Sequence, residues 1–220
     1  MSVTPEPFSG LTLAAFSERL ASADPVPGGG SASAVAASLA ASLVVMVARL
    51  SGDRPRYEAY SETHARAMEF AERARTRFLE FADEDAQAYA AFAEALKLPR
   101  ETDDERAERE TRTQDAARTA SEVPLLVVRE CHWLIREIES LAGRSNLNAA
   151  SDLDVAALLT HAAAKGAATN VLVNLPSVGD ERFAGALTAE VGGHLHEIEA
   201  ALARVNRQVL SGNLLSPEEA

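Results

Sequence analysis

The chain has 220 residues, 47% of them apolar and 25% charged, with 33 acidic against 21 basic side chains and a net charge of −12. That length is enough to bury a substantial core, while so negative a field disfavours nucleic-acid phosphates and anionic lipid as partners. A single cysteine, Cys131, excludes an intrachain disulfide and a thiolate metal cluster. The start, Met1-Ser2-Val3-Thr4-Pro5, carries neither the basic nor the apolar run of a signal peptide, so a cytoplasmic location is expected.

In chain order, a short helix is predicted over Thr12 to Ser22, with Leu13, Phe16 and Leu20 on one face. Pro25-Val26-Pro27-Gly28-Gly29-Gly30 breaks it, and Ser31 is placed to cap the next helix, which runs to about Leu50. Its segment Ala32 to Ala48 is uncharged. Alanine and serine insert poorly into bilayers and the run is short to span one, so a buried core helix is expected there.

From Tyr57 to Leu98 the helical pattern is unbroken. Tyr57, Tyr60, His64, Met68, Ala71, Arg75, Phe78, Phe81, Asp85, Tyr89, Phe92 and Leu96 follow one another in steps of three and four. Pro99 ends it, and Thr102 with Glu105 forms a capping box for the following helix, which Pro124 should kink or split. After a polar loop from Gly143 to Asn148, Ser151 is expected to cap a helix reaching Leu175. The last helix begins near Asp180, with Leu195, Ile198, Leu202, Val205 and Val209 along one face. Nothing alternates at period two. The expected fold is all-α, an antiparallel bundle of about six to eight helices formed by residues 1–220 as one domain.

Three features can carry chemistry. Gly28, Gly29, Gly30 and Ser31 open a helix whose first N–H groups are free to meet an anion, although the same glycines would serve a close helix crossing. The lysine that ends a nucleotide P-loop is missing. Asp83, Glu84 and Asp85 span about 200° of a helix, so they cannot all face water, and Asp85 falls on the apolar stripe. Desolvation would raise its pKa and suit it to general acid–base work, unless a cation such as Arg75 pairs with it. Finally, Gly166, Asn170 and Asn174 form an i, i+4, i+8 line on a mostly apolar helix, where buried amides need partners that a heterocycle or a neighbouring helix would supply. The cluster Asn146, Asn148, Ser151 and Asp152 reads as capping. His64, His132, His161, His194 and His196 show no compact ligand spacing, so no metal is expected.

Together, four segments resemble the formiminotransferase-cyclodeaminase family. They are Pro27-Gly28-Gly29-Gly30-Ser31, Asp83-Glu84-Asp85-Ala86-Gln87-Ala88-Tyr89, Lys97-Leu98-Pro99, and the run from Asn146 through Ser151-Asp152-Leu153 and Gly166-Ala167 to Asn170-Val171-Leu172-Val173-Asn174-Leu175. The resemblance implies a cyclodeaminase-like helical homodimer that handles a tetrahydrofolate derivative without metal, nucleotide or other cofactor. Its reaction would be cyclisation of 5-formiminotetrahydrofolate with loss of ammonia, or hydrolysis of the methenyl form. It implies Asp85, with Asp83 second, as the catalytic acid. On that reading Lys97, Arg54 and Arg56 are expected to hold the glutamate tail against the negative field of the protein, and Gly28 to Ser31, Asn146, Asp152, Asn170 and Asn174 are expected substrate contacts. Ser145 stands where the family usually has glycine, and Pro55 separates Arg54 from Arg56. A transferase partner would be a separate chain. A non-catalytic helical dimer that binds folate or another protein is the reading from outside the enzyme class.

Overall fold

The computed structural model describes residues 6–52 and 54–216; the N-terminal residues 1–5 considered above for a leader lie outside them. Among the described residues there are six α-helices and no strand: α1 (Leu13–Leu20), α2 (Gly29–Gly52), α3 (Ser61–Ala95), α4 (Asp103–Leu141), α5 (Ala150–Asn174) and α6 (Glu181–Ser211). Short 3₁₀ turns at Pro55–Tyr60, Leu147–Ala149 and Leu175–Ser177 join them.

Helices α2, α3, α4 and α5 close a ring in which each packs against the next, and α6 lies in the groove between α4 and α5. Long-range bonds give the directions. Ser38 Oγ donates to Arg75 O and Arg49 pairs with Glu72, so α2 and α3 run antiparallel. Arg66 pairs with Glu137 across α3 and α4. The backbone N–H of Asn146, just ahead of α5, donates to Ser51 Oγ at the end of α2. Between α4 and α6 the pairs Arg118–Asp180, Arg129–Glu190 and Glu139–Arg204 advance together, so these two helices are parallel.

Alanine dominates the shared core. Ala34, Ala37, Ala40 and Ala41 of α2, Ala67, Ala71 and Ala74 of α3, and Ala156, Ala157, Ala164 and Ala167 of α5 are fully buried, with Phe78, Leu134, Ile138 and Leu153 filling the wider levels. Small side chains let the backbones approach, and tight packing then makes each added methyl costly. α2 is the described helix long and apolar enough to cross a membrane by composition, with mean hydropathy 2.0, and it is packed here as bundle core.

Thr102 and Glu105 form the expected capping box, and Thr12 and Asp180 cap α1 and α6. Three expectations need correcting. Ser31 does not cap α2: the helix starts at Gly29, and the hydroxyl bonds across to α3. Ser151 does not cap α5, which starts one residue earlier behind a 3₁₀ turn capped by Asn146. Pro124 does not split α4, which is continuous over 39 residues. Proline removes the N–H that Ala120 O would receive, and the side chain of Asn174 supplies a replacement at 2.8 Å.

Candidate active site

The acidic segment on α3 sends its three carboxylates to three places. Asp83 Oδ1 accepts the Phe8 N–H at 2.8 Å. Glu84 turns outward to the Arg77 guanidinium at 2.6 Å. Asp85 meets the N-terminus of α2, where Ser31 Oγ lies 3.0 Å from its Oδ2 and 3.0 Å from the carbonyl of Ala82. Arg75, the cation that could have paired with it, is exposed, and among the described residues no ion pair is made to Asp85.

This geometry explains the glycines. The first helical bond of this turn runs from Ala32 N–H to Gly28 O, which leaves the N–H groups before Ala32 for other acceptors. A Cβ at Gly30 would lie 2.5 Å from Asp85 Cγ and 2.6 Å from its Oδ2, so only glycine lets the carboxyl settle on the helix end. Burial pushes the Asp85 pKa above the usual carboxylate range, and hydrogen bonds from the Ser31 hydroxyl and backbone N–H offset only part of that.

Ser31 has one hydroxyl proton and two acceptors. When Asp85 is ionised the proton goes to the carboxylate. When Asp85 is protonated its O–H donates to Ser31 Oγ, and the serine proton turns to Ala82 O. Either state is fully bonded, so the pair changes charge without leaving a buried orphan.

Asp85 forms part of the wall of an open-sided cavity of about 220 Å³. Gly28, Gly29 and Gly30 form the floor with Pro25 and Val26; Tyr89 and Phe92 extend the α3 wall; Asn170, Val173 and Asn174 face them from α5. The volume suits one heterocyclic ring system and falls below the roughly 300 Å³ at which sites begin to enclose drug-sized ligands. The polar groups on the two walls and the floor are few, and they differ in chemistry. α3 offers an acid, α2 offers helix N–H groups, and α5 offers amides. Asn170 Nδ2 donates to Gly166 O at 2.9 Å, and Asn174 Nδ2 donates to Asn170 O at 3.0 Å and to Ala120 O.

Thus Asp85, Gly28, Gly29, Gly30, Asn170 and Asn174 come together, with Ser31 bonded behind the acid. The remaining expected residues do not join them within one protomer. Asp83 is spent on Phe8. Lys97 lies 12 residues beyond Asp85, about 18 Å along the helix direction, where it is 68% exposed and paired with Glu94. Arg54 and Arg56 follow the far end of α2, about 33 Å from Gly30, and Arg56 rests beside the Tyr57 ring. Asn146 is at that same end, where its Nδ2 donates to Leu50 O and its Oδ1 receives the Asn148 N–H. Asp152 lies in the first turn of α5, also at the far end. Among the described residues no group of three or more His, Cys, Asp or Glu side chains is placed to hold a metal ion. Cys131 is buried, as expected of a core thiol, and burial raises its pKa.

Comparison with known proteins gives the family of the chain. The model of the formiminotransferase-cyclodeaminase family matches residues 12–192. A methenyltetrahydrofolate cyclohydrolase from Methylorubrum extorquens is 36% identical over 91% of this chain and 96% of its own. The formimidoyltransferase-cyclodeaminase of Gallus gallus is 34% identical over 78% of this chain, which spans only 32% of that protein. The crystal structure of a formiminotetrahydrofolate cyclodeaminase from Thermotoga maritima superposes with a TM-score of 0.84, at 31% identity, over 92% of this chain and 98% of that one. With these relatives, the all-α bundle that sets Asp85 of α3 against the N-terminus of α2 falls in a class of helical enzymes that process folates. Within that class, the chain belongs to the formiminotransferase-cyclodeaminase family.

Proposed function

We propose that the protein cyclises 5-formiminotetrahydrofolate to 5,10-methenyltetrahydrofolate with release of ammonia, and that Asp85 carries the proton transfers. The observation that supports this most is the Asp85 carboxyl itself: half-buried, raised in pKa, and exposed to the cavity rather than paired with a cation. N10 of the folate attacks the formimino carbon, forming one C–N bond. The formimino group enters as the protonated amidinium, so the adduct carries –NH2; Asp85 takes the N10 proton and returns it to that nitrogen, whose bond to carbon breaks as ammonia leaves and the methenyl cation forms. A raised pKa suits a group that must both accept and give a proton near neutrality, a contribution of about 10²–10⁴-fold. The cavity walls hold the pterin in reach of the acid and exclude its competing conformers.

Hydrolysis of 5,10-methenyltetrahydrofolate is the second reading, favoured by the full-length match to the Methylorubrum cyclohydrolase. There Asp85 would accept a proton from the attacking water and pass it to N5 as the C–N5 bond breaks, while the second water proton goes to solvent and the formyl group stays on N10. We also propose a homodimer, because Leu39, Leu43, Met46 and Leu50 form an outward apolar stripe on α2 in which Leu39 is 50% exposed. Ammonia release from 5-formiminotetrahydrofolate, measured beside loss of methenyl absorbance from the cyclised folate, decides between the two reactions. Silence in both, with folate still bound, would overturn catalysis and leave a binding protein.

A further inference from the structure

Asn174 closes α5 and touches the middle of α4. Pro124 has no N–H, so the carbonyl of Ala120 lacks its usual helical donor. Asn174 Nδ2 occupies that acceptor at 2.8 Å and gives its second hydrogen to Asn170 O at 3.0 Å. Both amide hydrogens are therefore committed to carbonyls. Turned over, the amide would set its oxygen against two acceptors, so the two bonds fix its orientation. Oδ1 is left over, and among the described residues no protein group donates to it. Asn174 lines the same cavity as Asp85, Gly29 and Tyr89.

We propose that Asn174 is a specificity-determining acceptor and that Pro124 is the residue that positions it. By withholding one backbone N–H from Ala120 O, Pro124 draws the Asn174 amide into a fixed pose, and the free Oδ1 selects a substrate heterocycle through an N–H edge. A reduced pterin has such donors at N3, N8 and its exocyclic amino group; identifying them as the partners rests on the folate reading above. Pro124 is buried and does not line the cavity, so it acts only through Asn174. A ring with acceptors alone on that edge would meet an unpaired oxygen and be rejected.

A double-mutant cycle on the full chain tests this, using Pro124→Ala, Asn174→Ala and the pair. Unliganded thermal unfolding should show Asn174→Ala lowering Tm in the native background and by no more than half as much beside Pro124→Ala, which restores a backbone donor to Ala120 O. In steady-state assays with 5-formimino- and 5,10-methenyltetrahydrofolate, Pro124→Ala and Asn174→Ala should each raise KM by about 3–10-fold, the worth of one neutral hydrogen bond. The change in kcat should stay smaller than the change in KM. Additive Tm shifts would overturn the lock. Coupled Tm shifts with an unchanged KM in both variants would overturn the selection role. Should Asn174→Ala fail to fold, Pro124→Ala alone decides, because only a positioning role moves KM when a helix donor is restored. If the native protein turns over neither folate, the folate reading falls, and the Tm cycle still judges the lock.

Discussion

The Asp85 carboxyl occupies the volume that a side chain at Gly30 would fill, which makes the acid and the glycine two halves of one fit. Alanine at position 30 should favour the helix by about 0.5–1 kcal/mol, yet its methyl would collide with the carboxyl. We expect Gly30→Ala to lose turnover by roughly 10²-fold or more while its Tm moves by only a few degrees. A variant with full activity would show that the carboxyl is not required in this position.

Asp85→Asn separates function from stability. Between the ordinary carboxylate pKa near 4 and its raised folded value, the folded chain holds a proton that the unfolded chain has released, so native stability falls as pH rises across that window. The amide carries no such penalty. Asp85→Asn should therefore be as stable as the native protein at low pH and more stable at neutral pH, and lose about 10²–10⁴-fold in turnover. Thermal unfolding at several pH values, paired with the ammonia assay, measures both.

Ser31→Ala removes a hydrogen bond that holds the Asp85 pKa down. The carboxyl pKa should rise further, and the limb of the pH–rate profile that reports it should move to higher pH. A profile that keeps its position while the rate falls would assign that limb to another group.

Cys131 is fully buried, and its thiol is pushed well above the usual range by desolvation. Ellman's reagent should find no reactive thiol in the native protein and one per chain after denaturation. Rapid reaction under native conditions would contradict the packing of α4 in the core.

Much of this fold is legible in the sequence because its signals are local. The Thr102–Glu105 box, the aspartate before α6 and the steps of three and four along α3 act within a turn or two. The errors fall where a distant group takes over a local role. Ser31 has the right spacing for a cap, but Asp85 is the better partner for a helix end packed against α3. Pro124 should kink or split a helix, but Asn174 bonds to the carbonyl that the proline leaves without a donor, and α4 stays continuous.

The site itself was half legible. Periodicity places Asp85, Tyr89 and Phe92 on one face, yet does not say where the bundle stops covering that face. In the structure it opens past Ala82, so that Tyr89 is 45% exposed and becomes cavity wall instead of core. Pro25, Val26, Ala120 and Val173 carried no chemical signal that could have marked them. Arg54, Arg56 and Lys97 were grouped with the site by their motifs, and helix lengths of 24 and 35 residues carry them away from it.

The seam between α4 and α6 also bears on how the molecule comes apart. Its outward edge is a row of partly exposed ion pairs, Arg118–Asp180, Arg129–Glu190 and Glu139–Arg204, with the His132–His194 contact, in which His132 is buried, between them. Exposed ion pairs contribute about 0–1 kcal/mol each and weaken in salt. The four-helix ring is closed without α6, since α2 and α5 already meet. Amide protons of α6 should thus exchange through a sub-global opening of lower free energy than that of the ring, leaving the Asp85 cavity intact while the last helix is loose.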